Sequence, residues 1–132
     1  MVPRLDLAEI QINSIIAYLR STEEGVNKVD PIEVDWTTRF SDGDAHAGKQ
    51  KYAQYCASCH GANGEGYLAG TPGPAIGNPG FLVQASDDFI YKTLKYGRRG
   101  TPMRKFLGAE GVANLSDQDA HDIIAHLRHK NL

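Results

Sequence analysis

Between Gly61 and Gly111 the chain carries eleven of its fourteen glycines and four of its six prolines. Glycine there costs backbone entropy and proline removes a donor, so this stretch reads as turns and loops rather than strand. No convincing strand is found elsewhere, which makes the fold class all-α with a large irregular middle. At 132 residues the chain suits one domain plus an appendage, not two full-sized cores. A structureless run of about 25 residues, from 61 to 85, argues against any compact fold unless it wraps a group that supplies the missing core.

Four helices are expected around that middle. Ile12, Ile15, Ile16 and Leu19 recur at i, i+3, i+4 and i+7, and Asp6 with Glu9 resembles a capping box, giving a helix over about 6–20. Gly48, Tyr52 and Tyr55 at helical spacing give a second over about 43–58, capped by Ser41 or Asp42, with Cys56 and Cys59 on its last turn. Ser86 caps a third over 87–96, and Ser116 with Asp119 opens a fourth that runs to about 129 with Ile123, Ile124 and Leu127 inward. Residues 21–44 between the first two hold seven acids against Lys28 and Arg39 and lack periodicity, which is the pattern of a linker. Trp36 and Phe40 are placed to pin its end to a domain.

Composition excludes several classes of function. With 14 basic and 16 acidic residues, the net charge of -2 is too balanced for a nucleic-acid binder that works by bulk charge. No apolar run exceeds about five residues, so no membrane span is expected. The opening MVPRLDLAEI has none of the regions of a signal peptide.

The chain has two cysteines, in Cys56-Ala57-Ser58-Cys59-His60. A thioredoxin-like pair wants a parallel sheet and a place at a helix start, and zinc wants four ligands, for which only the distant His121 and His126 offer themselves. Iron-sulfur clusters as a rule want four cysteines. The use that remains is C-x-x-C-H, in which two thiols add across the vinyl groups of haem and the adjacent imidazole ligates the iron. A low-spin site takes a second axial ligand, and Met103 in Gly100-Thr101-Pro102-Met103 sits in a turn that Pro102 restricts. Methionine is more often core filler, but the other methionine is Met1 and a rigid turn is an odd place for filler.

With these residues in view, 41–132 resembles a class I c-type cytochrome of the short bacterial kind. The resemblance is carried by Gly48-x-x-x-Tyr52-x-x-x-Cys56-x-x-Cys59-His60-Gly61, by Gly73-Pro74, by Gly97-Arg98-x-Gly100-Thr101-Pro102-Met103-x-x-Phe106, and by Leu115-Ser116-Asp117 leading to Ile123-Ile124-Ala125-His126-Leu127. It implies three core helices around one haem c bonded to Cys56 and Cys59, with His60 proximal and Met103 distal, plus here an extra N-terminal helix. It also implies that the Pro74 carbonyl accepts the His60 Nδ1 proton, and that the first and last helices cross at Gly48 against an aromatic. At that aromatic position this sequence has His126.

Such a domain is expected to transfer single electrons and not to be an enzyme in itself, either as a free carrier or as the electron-entry part of a larger oxidoreductase. The alternative is a ligand sensor or peroxidase in which Met103 detaches. Six basic residues and no acid lie from Phe89 to Ala109 (Lys92, Lys95, Arg98, Arg99, Arg104, Lys105), which points to a docking face for an acidic redox partner, with Arg98 or Arg99 pairing the haem propionates. Tyr67 is a further, weaker candidate to reach a propionate. Attachment of haem in this family takes place outside the cytoplasm, so a periplasmic or otherwise extracytoplasmic location is expected, with any leader processed or excised. Finally, residues 7–20 match 115–128 at six of fourteen positions with one offset, 108. The division expected is therefore an N-terminal helix and acidic linker over 1–40, the remnant of a preceding cytochrome domain, and a monohaem domain over 41–132.

Overall fold

Helices separated by turns make up the chain in a computed structural model that describes residues 7–21 and 32–132. Two compact units divide it, 1–32 and 33–132. In the first, α1 (Glu9–Ser21) matches the expected helix to within a few residues, while Asp6 and residues 22–31 of the acidic linker lie outside the described residues.

The second unit contains α2 (Ala45–Tyr55), α3 (Ala57–His60), α4 (Pro79–Gln84), α5 (Asp87–Tyr96) and α6 (Asp117–Asn131), with one 3-10 turn at Gly66–Ala69. Among the described residues the only extended pairing is an isolated bridge between Leu107 and Leu115. The sequence pattern undercounts these elements. Asn78 accepts from the backbone N–H groups of Gly80 and Phe81, and Pro79 takes the first helical position, so α4 forms inside the stretch expected to be loop. The cap of α2 is Asp44, which accepts from His46 and Ala47, rather than Ser41 or Asp42.

The core lies where α2 and α6 cross. Gly48 and Tyr52 are buried on α2, against Ile123, Ile124 and Leu127 on α6. A Cβ at Gly48 would overlap the Asp122 carbonyl and lie 2.9 Å from Ile123 N, so only glycine permits this approach. Burying each of the three α6 aliphatics contributes about 1.5–3 kcal/mol. His126 is also buried, with its ring 5.5 Å from that of Tyr52, as expected of a residue packed at the crossing. Ser116 and Asp119 form the expected capping box, and Ser86 caps α5 through Phe89 N.

Long-range polar contacts close the unit. Asp87, 1% exposed, pairs with Arg128 at 2.5 Å and accepts from Phe40 N at 2.6 Å. Arg128 also donates to the carbonyls of Leu82 and Ala85, joining α6 to the end of α4 and the start of α5. The segment 33–44 is pinned by both of its aromatics: Trp36 stacks on Phe89 and Phe40 on His121. His121 is half-buried there with Nδ1 2.9 Å from Asp42 Oδ1.

Candidate functional site

The pentad sits on a break in the helix rather than on its final turn. Cys56 ends α2, with its N–H donating to the Tyr52 carbonyl, and at the same time opens α3. His60 N and Cys59 N both donate to the Cys56 carbonyl, at 2.9 and 3.1 Å, so Cys56, Cys59 and His60 share one turn of backbone. Gly61 stops the chain at φ +80, a conformation that residues with a Cβ avoid. Its carbonyl accepts from the buried Tyr52 hydroxyl at 2.8 Å, which ties the exit of the turn back to α2.

His60 is nearly buried, and its Nδ1 lies 2.9 Å from the Pro74 carbonyl. A carbonyl only accepts, so Nδ1 carries the proton and Nε2 is the ring nitrogen able to bind a metal. The opposing loop is held close by Gly73 N, which donates to the Cys59 carbonyl at 2.7 Å. A Cβ at Gly73 would lie 2.5 Å from that same carbonyl oxygen and 2.8 Å from Nδ1, which explains glycine before Pro74.

Cys56 is buried and Cys59 exposed, and no disulfide joins them. Burial, and to a lesser degree the neighbouring Cys59, pushes the Cys56 thiol up to about 12. A redox pair of the thioredoxin kind needs the opposite shift. Among the described residues no three His, Cys, Asp or Glu side chains converge as a metal site would require, which leaves the zinc reading without ligands.

Met103 is half-buried against the cluster that also contains Cys56. Its loop is fastened at two places, one just past the end of α5 and one on α5 itself. Arg98 N donates to the Met103 carbonyl at 2.7 Å, and Phe106 N to the Leu94 carbonyl at 2.8 Å. The structure thus groups Cys56, Cys59, His60 and Pro74 around one turn, and joins Arg98 to Met103 in a second loop. Arg99 and Arg104 are exposed with no acidic partner among the described residues, as is Tyr67 at 68%. Of the other basic residues in 89–109, Lys92 pairs with Asp88 and Lys105 with Glu110, while Lys95 lies on Tyr91 and Arg98 over Phe89. Tyr52, Gly73 and the Asp87–Arg128 pair are supports that sequence reasoning did not single out for this role.

The donor set fits a covalently held haem: two thiols on one turn, an imidazole with its Nε2 lone pair free, and a half-buried thioether. Residues 43–127 match the family described as cytochrome c oxidase, cbb3-type, subunit III. The chain belongs to this family of c-type cytochromes. It is 38% identical over 90 residues to cytochrome c-554(547) of Halothiobacillus neapolitanus, covering 64% of this chain and 94% of that one. Solved structures with the same fold include cytochrome cL from Hyphomicrobium denitrificans, with a TM-score of 0.51 at 24% identity over 67% of this chain and 48% of the other. Cytochrome CL from Methylophaga aminisulfidivorans gives 0.53 at 23% identity, over 80% and 71% of the two chains. This chain therefore spans about half the length of the Hyphomicrobium protein. The all-α class I cytochrome c fold holds, and membership of the family makes haem c the cofactor and haem-based electron transfer the activity. No described helix is long and apolar enough to cross a membrane.

Proposed function

We propose that residues 41–132 form a one-electron carrier domain with one haem c, bonded through Cys56 and Cys59 and ligated by His60 and Met103. The observation that carries this reading is the His60 Nδ1–H to Pro74 hydrogen bond, which leaves Nε2 as the ligating atom and fixes the plane of the ring. When bound, the haem supplies an Fe(III)/Fe(II) couple. The protein supplies the rest. The shared turn of Cys56, Cys59 and His60 holds the attachment points, Pro74 keeps His60 in one tautomer, and the anchored loop presents the Met103 thioether. With His60 and Met103 both holding the iron, no open position would be left for a substrate. This favours a carrier over a sensor or peroxidase, and the domain is not an enzyme in itself.

Protein-film voltammetry with parallel peroxide assays tests the reading. A reversible wave of one electron with negligible peroxide turnover is expected. A high-spin ferric protein that consumes peroxide would replace it with the sensor or peroxidase reading.

The partner side follows from the loop charges. Two of the six basic residues are paired with carboxylates, leaving Lys95, Arg98, Arg99 and Arg104 as the positive face toward an acidic partner. Replacing Arg99 and Arg104 by Gln should slow association at low salt and flatten its salt dependence, since steering acts over about one Debye length, roughly 10 Å at 0.1 M. Rates unchanged at low salt would remove the docking role, leaving the arginines to the haem propionates or to solvent.

For residues 1–40 the half-repeat supports the end of a preceding cytochrome domain. The positions equivalent to Ile15, Ile16 and Leu19 of α1 are Ile123, Ile124 and Leu127, all core in α6. A second C-x-x-C-H upstream in the parent reading frame is the expected finding, and its absence overturns the tandem reading. The setting proposed is periplasmic or otherwise extracytoplasmic, in a respiratory chain or larger oxidoreductase, where haem attachment of this family takes place.

A further inference from the structure

Trp36 lies before the first core helix, yet it is linked to the loop that carries Met103. Its indole stacks on Phe89 with centroids 5.2 Å apart and planes at 25°. On the same ring rests the Arg98 guanidinium, 4.9 Å from the centroid. Arg98 is also the residue that closes the Met103 turn. Its N–H donates to the Met103 carbonyl at 2.7 Å, and its carbonyl accepts from the Thr101 hydroxyl at 2.8 Å. That hydroxyl oxygen in turn accepts from Met103 N at 3.2 Å.

Burial does not explain where Trp36 sits, because it is 59% exposed. Polar contacts on both sides hold it instead. Asp35 N donates to Asp88 Oδ2 at 2.7 Å, and Asp35 Oδ1 accepts from Thr37 N and Oγ1 at 2.8 and 2.7 Å, forming the turn that carries the indole. Lys92 bridges Asp88 and the Glu33 carbonyl. An exposed tryptophan fixed by this many contacts, on the ring that also holds Arg98, has the form of a brace.

We infer that Trp36 and Phe89 are positioning residues for Met103, acting through Arg98. The inference rests on Met103 as distal ligand. The Met103 turn closes on the Arg98 backbone, so the stack that holds the Arg98 guanidinium holds the closed form in place. Loosening the stack raises the fraction of open form, and the apparent affinity of an added ligand rises in proportion.

Imidazole binding to the ferric holoprotein, well below the unfolding temperature, reads that fraction. Trp36→Ala should tighten imidazole binding about 2- to 10-fold, the range that the loss of one aromatic pair allows. Trp36→Phe should restore most of the wild-type value. In an Arg98→Ala background, Trp36→Ala should add little, because the route is already cut. Wild-type affinity in Trp36→Ala, or an equal effect with and without Arg98, overturns the brace while leaving the ligand assignment intact. A wild-type protein without the long-wavelength absorption of thioether-bound ferric iron overturns the ligand assignment, and the brace with it.

Discussion

Replacing Gly48 with alanine sets two effects of opposite sign against each other. Within a helix, alanine is about 1 kcal/mol more favourable than glycine, so propensity alone makes Gly48→Ala stabilising. The crossing of α2 and α6 reverses that. The new Cβ would overlap the Asp122 carbonyl and press within 2.9 Å of Ile123 N. Both are backbone atoms inside α6, so they give way only if the whole helix shifts. Overpacking of this kind costs about 1–3 kcal/mol, and the rigid neighbours put it at the upper end. The expected net effect is a loss of about 2 kcal/mol, or roughly 8–16 °C in Tm for a domain of this size. Denaturant unfolding of the covalently loaded protein measures it. A Gly48→Ala protein as stable as the wild type, or more so, would refute the close crossing on which the fold is built.

Two further changes probe other joints. Arg128→Ala leaves the buried Asp87 carboxylate without its guanidinium and two carbonyls without donors, and should cost about 3–5 kcal/mol in the same assay. Adding Asp87→Ala should recover part of that loss, and strict additivity would mean that the pair does not act as a unit. His126 is held below its ordinary range, first by burial and then by Lys130, Lys49 and His129. The unfolded chain therefore binds more protons than the fold does as pH drops through about 6.5, and stability is lost in that direction. His126→Tyr should flatten the stability profile between about pH 7 and 5. An unchanged slope would show that His126 does not carry it.

Local signals were legible in the sequence and distant ones were not. Ser86 and Ser116 mark the starts of α5 and α6 because a cap acts within three residues. The six-residue α4 escaped because Asn78-Pro79-Gly80 carries the residues of a turn, and its cap distinguishes it only once the backbone is seen. The break at Cys56 likewise has no composition signature, although it decides how the two thiols and His60 share a turn. Within the site, the pentad is contiguous and reads directly. Its support by Pro74 spans fourteen residues and was foreseen from the family resemblance alone. The Asp87–Arg128 pair, separated by 41 positions, leaves no local trace, because neither residue type is expected to be buried until its partner is known.

His60 and Met103 are proposed to hold the haem of a carrier together. The long-wavelength absorption of the oxidised protein tests it most directly. Wild type should be low-spin with the weak band of thioether-bound ferric iron, and Met103→Ala should lose that band and turn high-spin. A wild-type protein without the band, or a Met103→Ala protein that keeps it, would contradict the account.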